Sequence, residues 1–546
     1  MKPVTASSTP RVSRSPTPLR SVWFGQTVHL ILGVAGWALL MLFLLLTALG
    51  VGWILLGIVL LGSGPAADAD PQPIVHALVL LAISGTLAWV VARFFASPRI
   101  VGLAVSSTLV LLLVAGGTWA LTSPDRALFL ARDIAWGPSD VWDEQKFPER
   151  VVTNAPPAFQ FQQRLRPELF QTIEYKQAGQ LKQANFAEFL TSTQTTSFVV
   201  IKDGAILYEG YFNGYNRDSI VTSFSTAKSV TSALIGIAID EGRIGSVDDP
   251  IVSYLPELRG KGLDSVTIRH LLLMSSGISY VSDDEISGLA ELSPFSDDGL
   301  SYSYPNLRSQ ALAALPDGKQ PGTEFNYNNY NPALLGMILE RTTHVPVAEY
   351  LQEKLWRPLG MEYPASWSLD SKQSGFELMG AGINGRAIDF AKFGWLFLNN
   401  GNWNGKQIIS EQWVRESTSP YPNPNGSIAW RANTWFTDWK EANGYYKYLW
   451  WGKLKDDGSY DHIAWGHFGQ RIYVSPQNNA VAVRFGISDE GVDSWDDVLA
   501  SVIAKAKGAE SDQAPVGLSE ARETLRTIHR GIGTSKRLRC TAATWI

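Results

Sequence analysis

Ser225-Thr226-Ala227-Lys228-Ser229-Val230-Thr231-Ser232-Ala233-Leu234-Ile235-Gly236-Ile237-Ala238-Ile239 is the stretch whose reading decides the fold. A serine and a lysine three residues apart at a helix start share one face, one turn apart. A serine hydroxyl is a weak nucleophile near neutral pH and needs a base beside it. Lysine is that base only where desolvation or nearby positive charge lowers its pKa from about 10.4. The run after Lys228 is apolar on most faces, so a buried helix able to desolvate the amine is expected, ending near Glu241-Gly242 with a glycine C-cap. No other serine in the chain has lysine at the third following position. Taken alone, the tetrapeptide also fits an ordinary helix start with a surface lysine.

Working outward, Ser197–Ile201 and Ala205–Tyr208 read as strands joined by Lys202-Asp203-Gly204, a strong hairpin signal. Between Asp249 and Pro364 the pattern is helical with long polar loops, including a short capped helix from Thr267 to Met274 before Gly277. An amphipathic helix follows over Ala387–Leu398. Strands return at Arg471–Val474 and Ala480–Phe485 around Pro476-Gln477-Asn478-Asn479, and a last helix covers about Trp495–Ala506. Strands at both ends and helices between them predict an α/β (α+β) domain: one antiparallel sheet built from both ends, with a helical subdomain beside it.

Two further segments carry candidate chemistry. Pro321-Gly322-Thr323-Glu324-Phe325-Asn326-Tyr327-Asn328-Asn329 starts with a turn. After it, Tyr327 and Asn329, two apart, can both point into a cleft. Tyr327 is a candidate phenolate base if a neighbouring lysine lowers its pKa from about 10. Asn329 is a candidate to hold both Lys228 and a substrate amide. Trp465-Gly466-His467-Phe468-Gly469-Gln470 precedes a strand, and glycines there let backbone approach a ligand. A backbone N–H of this segment is expected to pair with that of Ser225 as an oxyanion hole. Each segment alone also reads as a surface loop or a packed histidine.

In order, the segments read Ser-x-x-Lys, Tyr-x-Asn, His-x-Gly. That order and spacing resemble the serine β-lactamase and penicillin-binding-protein superfamily, with the nearest likeness to class C-like serine hydrolases of the esterase, D-aminopeptidase and 6-aminohexanoate-dimer hydrolase type. Phe224-Ser225-Thr226-Ala227-Lys228-Ser229, His270–Gly277, Pro321–Phe325 and Gly380-Ala381-Gly382 support it. The resemblance covers roughly Ser197 to Lys507 and implies roles. Ser225 is the acylated nucleophile, and Lys228 keeps Ser225 and Tyr327 poised. Tyr327 takes the serine proton and later activates water, with lysine and tyrosine both open as the base. Asn329 orients Lys228 and substrate. His467 stands where β-lactamases carry a lysine, and the N–H groups of Ser225 and Gln470, the latter just after Gly469, form the oxyanion hole. The departures are His467 for the lysine and Phe468 for a hydroxyl residue. Both remove a grip on a β-lactam carboxylate and favour a neutral ester or amide.

Composition bounds the rest. Net charge of -5 implies no nucleic-acid partner. The single cysteine, Cys540, excludes a disulfide framework and a cysteine metal cluster. His462 and His467 lack a metal-ligand spacing and no phosphate loop appears, so neither metal nor cofactor is expected. Three apolar runs, His29–Leu61, Ile74–Val91 and Ile100–Leu121, are each long enough to span a bilayer. Lys2, Arg11, Arg14, Arg20, Arg93 and Arg99 flank them on one side, Asp68 and Asp70 on the other. The positive-inside rule then places the large domain outside the cytoplasm. Splitting the first run at Gly50 gives four spans and the opposite placement.

The expected organisation is a basic cytoplasmic N-terminus (1–25), a transmembrane bundle in contact with lipid (26–122), a packed connector (123–186), the hydrolase domain (187–507) and a polar to basic tail (508–546). The expected function is a membrane-anchored serine hydrolase acting on a small-molecule ester or amide. The alternatives are a β-lactamase or D-Ala-D-Ala carboxypeptidase, or a ligand sensor that does not turn over.

Overall fold

The computed structural model describes residues 116–282, 296–421, 429–430, 439 and 443–507. The expected membrane runs His29–Leu61 and Ile74–Val91, most of Ile100–Leu121, and the tail from residue 508 lie outside the described residues. Among the described residues no helix is long and apolar enough to cross a membrane. Contacts divide the chain into two units, residues 1–139 with 303–305, and residues 140–302 with 306–546. In the first unit the helix Pro124–Trp136 buries Phe129 and donates from Arg132 to the Ser303 carbonyl. The expected connector therefore divides near residue 139.

The second unit is built on an eight-stranded sheet. Its strands are β1 (Thr195–Lys202), β2 (Ala205–Tyr211), β3 (Gly444–Lys447), β4 (Trp450–Leu454), β5 (Tyr460–Gly466), β6 (Gln470–Ser475) and β7 (Ala480–Gly486), in spatial order β3-β4-β5-β6-β7-β1-β2. The short strand Gln162–Gln163 completes it in parallel beside β2. The seven long strands run antiparallel to their neighbours. Asp203 and Gly204 turn β1 into β2 with φ of 51° and 75°, the two positive values a tight type I′ turn requires. The sheet thus joins both ends of the domain, as the strand pattern predicts. The sequence reading missed β3, β4 and β5, whose runs of tyrosine, tryptophan and buried polar residues show no clean alternation.

The helices that bear on the site and its frame are α1 (Thr226–Asp240), α2 (Asp297–Ser303), α3 (Tyr330–Thr343), α4 (Ala387–Leu398) and α5 (Trp495–Ala506). Thirteen residues of α1, from Thr226 to Ala238, are buried, in keeping with its apolar sequence. A four-stranded sheet orders Glu149–Val152, Ala365–Ser368, Ile383–Gly385 and Val221–Thr222 side by side. The connector residues Glu149–Val152 are thereby tied into the domain. The same sheet sets the approach to Ser225: the Ser223 N–H donates to the Ile383 carbonyl at 2.8 Å, and the Ile383 N–H to Ser223 Oγ at 2.9 Å.

Helix α4 lies on β6 and β7 through Gly394. A methyl group added there meets Ile472 Cγ2 at 2.7 Å and Val481 Cγ1 at 2.8 Å. Gly394→Ala therefore sets about 1 kcal/mol of helix propensity against overpacking worth about 1–3 kcal/mol. The expected outcome is net destabilisation, read as a lower denaturant midpoint with an unchanged slope.

Candidate active site

Ser225 is the N-cap of α1, and its side chain makes no capping hydrogen bond. The hydroxyl is left for other partners, and the residue stays half-buried and reachable. Lys228, one turn on, is 1% exposed. Its Nζ lies 2.8 Å from Ser225 Oγ and donates to the Gly380 carbonyl at 3.0 Å. Burial lowers its pKa to about 7, partly opposed by the negative charge of Asp298. Near pH 7 about half of the amine is therefore neutral. Nζ is the donor in both contacts, so taking the serine proton requires the neutral amine to turn its lone pair toward Ser225 Oγ.

Tyr327 closes the other side. Its hydroxyl hydrogen-bonds Ser225, and Lys228 Nζ sits 4.8 Å from the ring centroid. The residue as a whole is half-buried, but its hydroxyl is desolvated, which pushes its pKa up; the Ser225 contact opposes this and Asp298 adds to it. The expected phenolate base is thus corrected. Tyr327 is held as a neutral acid, because desolvation of its hydroxyl outweighs the opposing Ser225 contact.

Asn329, the N-cap of α3, donates to Ser301 Oγ at 3.1 Å and to Tyr280 Oη at 3.3 Å. Among the described residues no hydrogen bond joins it to Lys228. The partner of the lysine is Gly380, a correction to the expected role of Asn329. The two still meet around Gly380: a methyl group added there lies 2.8 Å from Asn329 Oδ1 and 3.3 Å from Lys228 Nζ.

The His467 segment is a tight turn joining β5 to β6, with Phe468 at φ 56° and Gly469 at φ 74°. A left-handed phenylalanine costs about 1–2 kcal/mol, so the surroundings must impose it. The turn rests against the residues before the nucleophile: Phe224 lies 5.1 Å from the Phe468 ring and 6.0 Å from His467, centroid to centroid. His467 is exposed at its edge, yet partial desolvation holds it below the ordinary imidazole value. It is therefore a neutral group at pH 7.

The Gln470 N–H donates to the His467 carbonyl, closing the turn. Its side chain is paired with Gly486, accepting from that N–H at 2.9 Å and donating to that carbonyl at 2.7 Å. Gln470 is therefore not an open oxyanion donor in this conformation, contrary to expectation. The Ser225 N–H, at the positive end of α1, has no backbone acceptor among the described residues.

Several neighbours escaped the sequence reading. Asp298 on α2 acts electrostatically on Lys228, Tyr327 and His467 alike, and accepts from Tyr280. An aromatic wall runs from Tyr327 through Tyr446 and Trp451 to Trp465 at centroid spacings of 4.7–6.0 Å. Arg471 and Arg484 are buried beside the turn. Their one visible signal is a charge inside an otherwise apolar strand, as in Val481-Ala482-Val483-Arg484-Phe485. Asp298 has no such signal; Gly380 lies in the Gly380-Ala381-Gly382 stretch noted above, but its role as acceptor for Lys228 is visible only in the structure.

A nucleophile at a helix start, a buried lysine against it and a tyrosine across from it, set between a sheet and a helical region, define an active-site serine hydrolase. The family model described as Beta-lactamase matches residues 183–498. The chain belongs to that family. It is 28% identical over 313 residues to the 6-aminohexanoate-dimer hydrolase of Paenarthrobacter ureafaciens, covering 56% of this chain and 74% of that protein. It is 26% identical over 203 residues to protein flp of Staphylococcus aureus, covering 34% of this chain and 38% of that one. A solved Bacillus anthracis protein, provisionally described as a 6-aminohexanoate-dimer hydrolase, superposes with a TM-score of 0.56 at 24% identity, covering 68% of this chain and 95% of its own.

Gly380 is the test of this packing. Gly380→Ala is expected to push Lys228 away from Ser225 and lower kcat/KM on a chromogenic ester on the order of 10²-fold. A circular dichroism melt should show the fold intact.

Proposed function

We propose that this protein hydrolyses an ester or amide through an acyl-enzyme on Ser225. The observation that carries the reading is Lys228 Nζ at 2.8 Å from Ser225 Oγ, with its pKa lowered to about 7 by burial. Ser225 Oγ attacks the substrate carbonyl carbon and its proton passes to neutral Lys228. The Ser225 N–H receives the developing oxyanion. Collapse breaks the bond to the leaving group, which takes a proton from Tyr327, and the lysine ammonium reprotonates Tyr327. Water then attacks the acyl carbon with the same base, releasing the acid and free Ser225.

The surroundings favour a neutral, largely apolar acyl group. His467 is neutral and Asp298 adds negative potential, so a carboxylate-bearing β-lactam is disfavoured. The aromatic wall suits a hydrocarbon chain, and an uncharged linear aliphatic ester or amide is the leading candidate; the 6-aminohexanoate-dimer relative is named for a linear amide that also carries end charges. The apolar N-terminal runs and their flanking charges support a membrane anchor, with the catalytic domain on the outer side.

Fluorophosphonate labelling of the full chain should modify Ser225, and Ser225→Ala should remove both labelling and hydrolysis. The rate should climb as pH rises through about 7, because the base must be neutral, and Lys228→Met should lose that limb with a fall of about 10³-fold. A labelled enzyme that hydrolyses nitrocefin better than p-nitrophenyl esters or linear amides contradicts the substrate reading. An acyl adduct that forms but never releases favours a sensor. For the anchor, the full chain should resist alkaline extraction from membranes, with its domain open to protease added from outside the cell.

A further inference from the structure

Arg484 is fully buried in the middle of β7. It donates to the Phe468 carbonyl at 2.7 Å, the Thr193 carbonyl at 3.0 Å, the Ser488 carbonyl at 2.8 Å and Thr195 Oγ1 at 3.1 Å. Its guanidinium carbon lies 4.0 Å from the Trp495 ring centroid. Among the described residues no carboxylate forms a salt bridge with it. Asp489 acts on it only through space. A methyl group added at Gly469 or Gly486 falls 2.1 or 2.2 Å from its nitrogens, so the two glycines leave room for the guanidinium alone. Buried charge without an ionic partner is weak as a source of stability, since apolar replacements of buried ion pairs are often neutral or better. The placement of Arg484 therefore asks for another reason.

That reason lies in what it grips. The Phe468 carbonyl belongs to the left-handed residue of the active-site turn, and the Phe468 ring packs edge-on against Phe224, the residue before the nucleophile. Phe224 is itself left-handed, at φ 43°. Arg471 braces the same turn from its other end, donating to the Gly466 and Gln470 carbonyls at 3.1 Å each. We propose that Arg484 is a positioning residue: by holding the Phe468 carbonyl it keeps the His467–Gly469 turn in its left-handed form and clasped to the Phe224–Ser225 elbow. Its effect on the acyl-transfer reaction proposed above is indirect, through Phe468, and it touches no substrate.

The test uses the full chain and two readouts, hydrolysis of p-nitrophenyl butyrate and the NMR titration of His467 assigned with His467→Gln. The groups acting on His467 are Asp489, Asp298 and Arg471, all kept in the variants. Arg484→Met should lower kcat/KM on the order of 10²-fold and move the His467 titration upward toward the ordinary imidazole value as the turn swings into water. Its activity–pH midpoint should stay that of the native enzyme, because the Lys228 pocket is untouched. Adding Phe468→Asn, a residue at ease in the left-handed region, should restore about tenfold or more of the loss. If Arg484→Met does not fold, Phe468→Val against Phe468→Asn decides, with the β-branched variant expected about tenfold lower in kcat/KM. A folded Arg484→Met with native activity and native His467 titration overturns the proposal, as does equal activity of the two Phe468 variants. An inert native protein with an unlabelled Ser225 sinks the hydrolase reading instead, and the His467 titration still judges the clasp.

Discussion

The burial of one lysine amine against one serine hydroxyl is the constraint around which the domain is arranged. A fall in pKa from 10.5 to about 7 amounts to roughly 5 kcal/mol against the ammonium form. The fold bears that penalty below pH 7. It is relieved as pH rises toward the value of the unfolded chain, since the unfolded lysine binds a proton that the folded one does not. Nothing local to a helix start creates such desolvation. It needs α1 buried along most of its length, α3 packed beside it and the Gly380 segment closing over it. Asp298 limits the shift, so the amine stays close to neutral pH and does not become a permanently uncharged group.

The two sheets do separate work around that pair. The small sheet carries Val221–Thr222 into the Ser223–Ser225 elbow and holds Ile383, a few residues after Gly380, beside it. Nucleophile and lysine anchor are thus fixed by one set of backbone hydrogen bonds. The large sheet presents the His467 turn, the connection between its central strands β5 and β6, against Phe224. The acid across the cleft, Tyr327, comes from the loop that opens α3. Relative positions therefore rest on backbone ladders and buried helices, and the reacting side chains sit only where those scaffolds meet.

Tyr327 and Gln470 show how far residue pattern and residue role diverge. Both stand where the motif order requires. Tyr327 was legible as a partner of the serine, but its protonation state follows from how much water its hydroxyl keeps. Gln470 was legible as the residue after a glycine at a strand start, but its N–H closes a turn because Phe468 is left-handed. The hairpin Asp203-Gly204, α1, α4 and α5 were legible because local chemistry specifies them: a turn dipeptide, helical periodicity and a glycine stop. The strands β3, β4 and β5 were not, because aromatic or buried polar side chains leave them without an alternating pattern.

The sequence by itself determined the order of Ser225, Lys228, Tyr327 and His467, the main helices and half of the eight-stranded sheet, because periodicity, turn residues and motif spacing are local properties. Only the tertiary structure decided that Lys228 is held by Gly380, that Tyr327 keeps its proton, and that Asp298, Arg471 and Arg484 belong to the site. Desolvation, through-space charge and a carbonyl gripped from a neighbouring strand join residues far apart in the chain. No sequence interval encodes them.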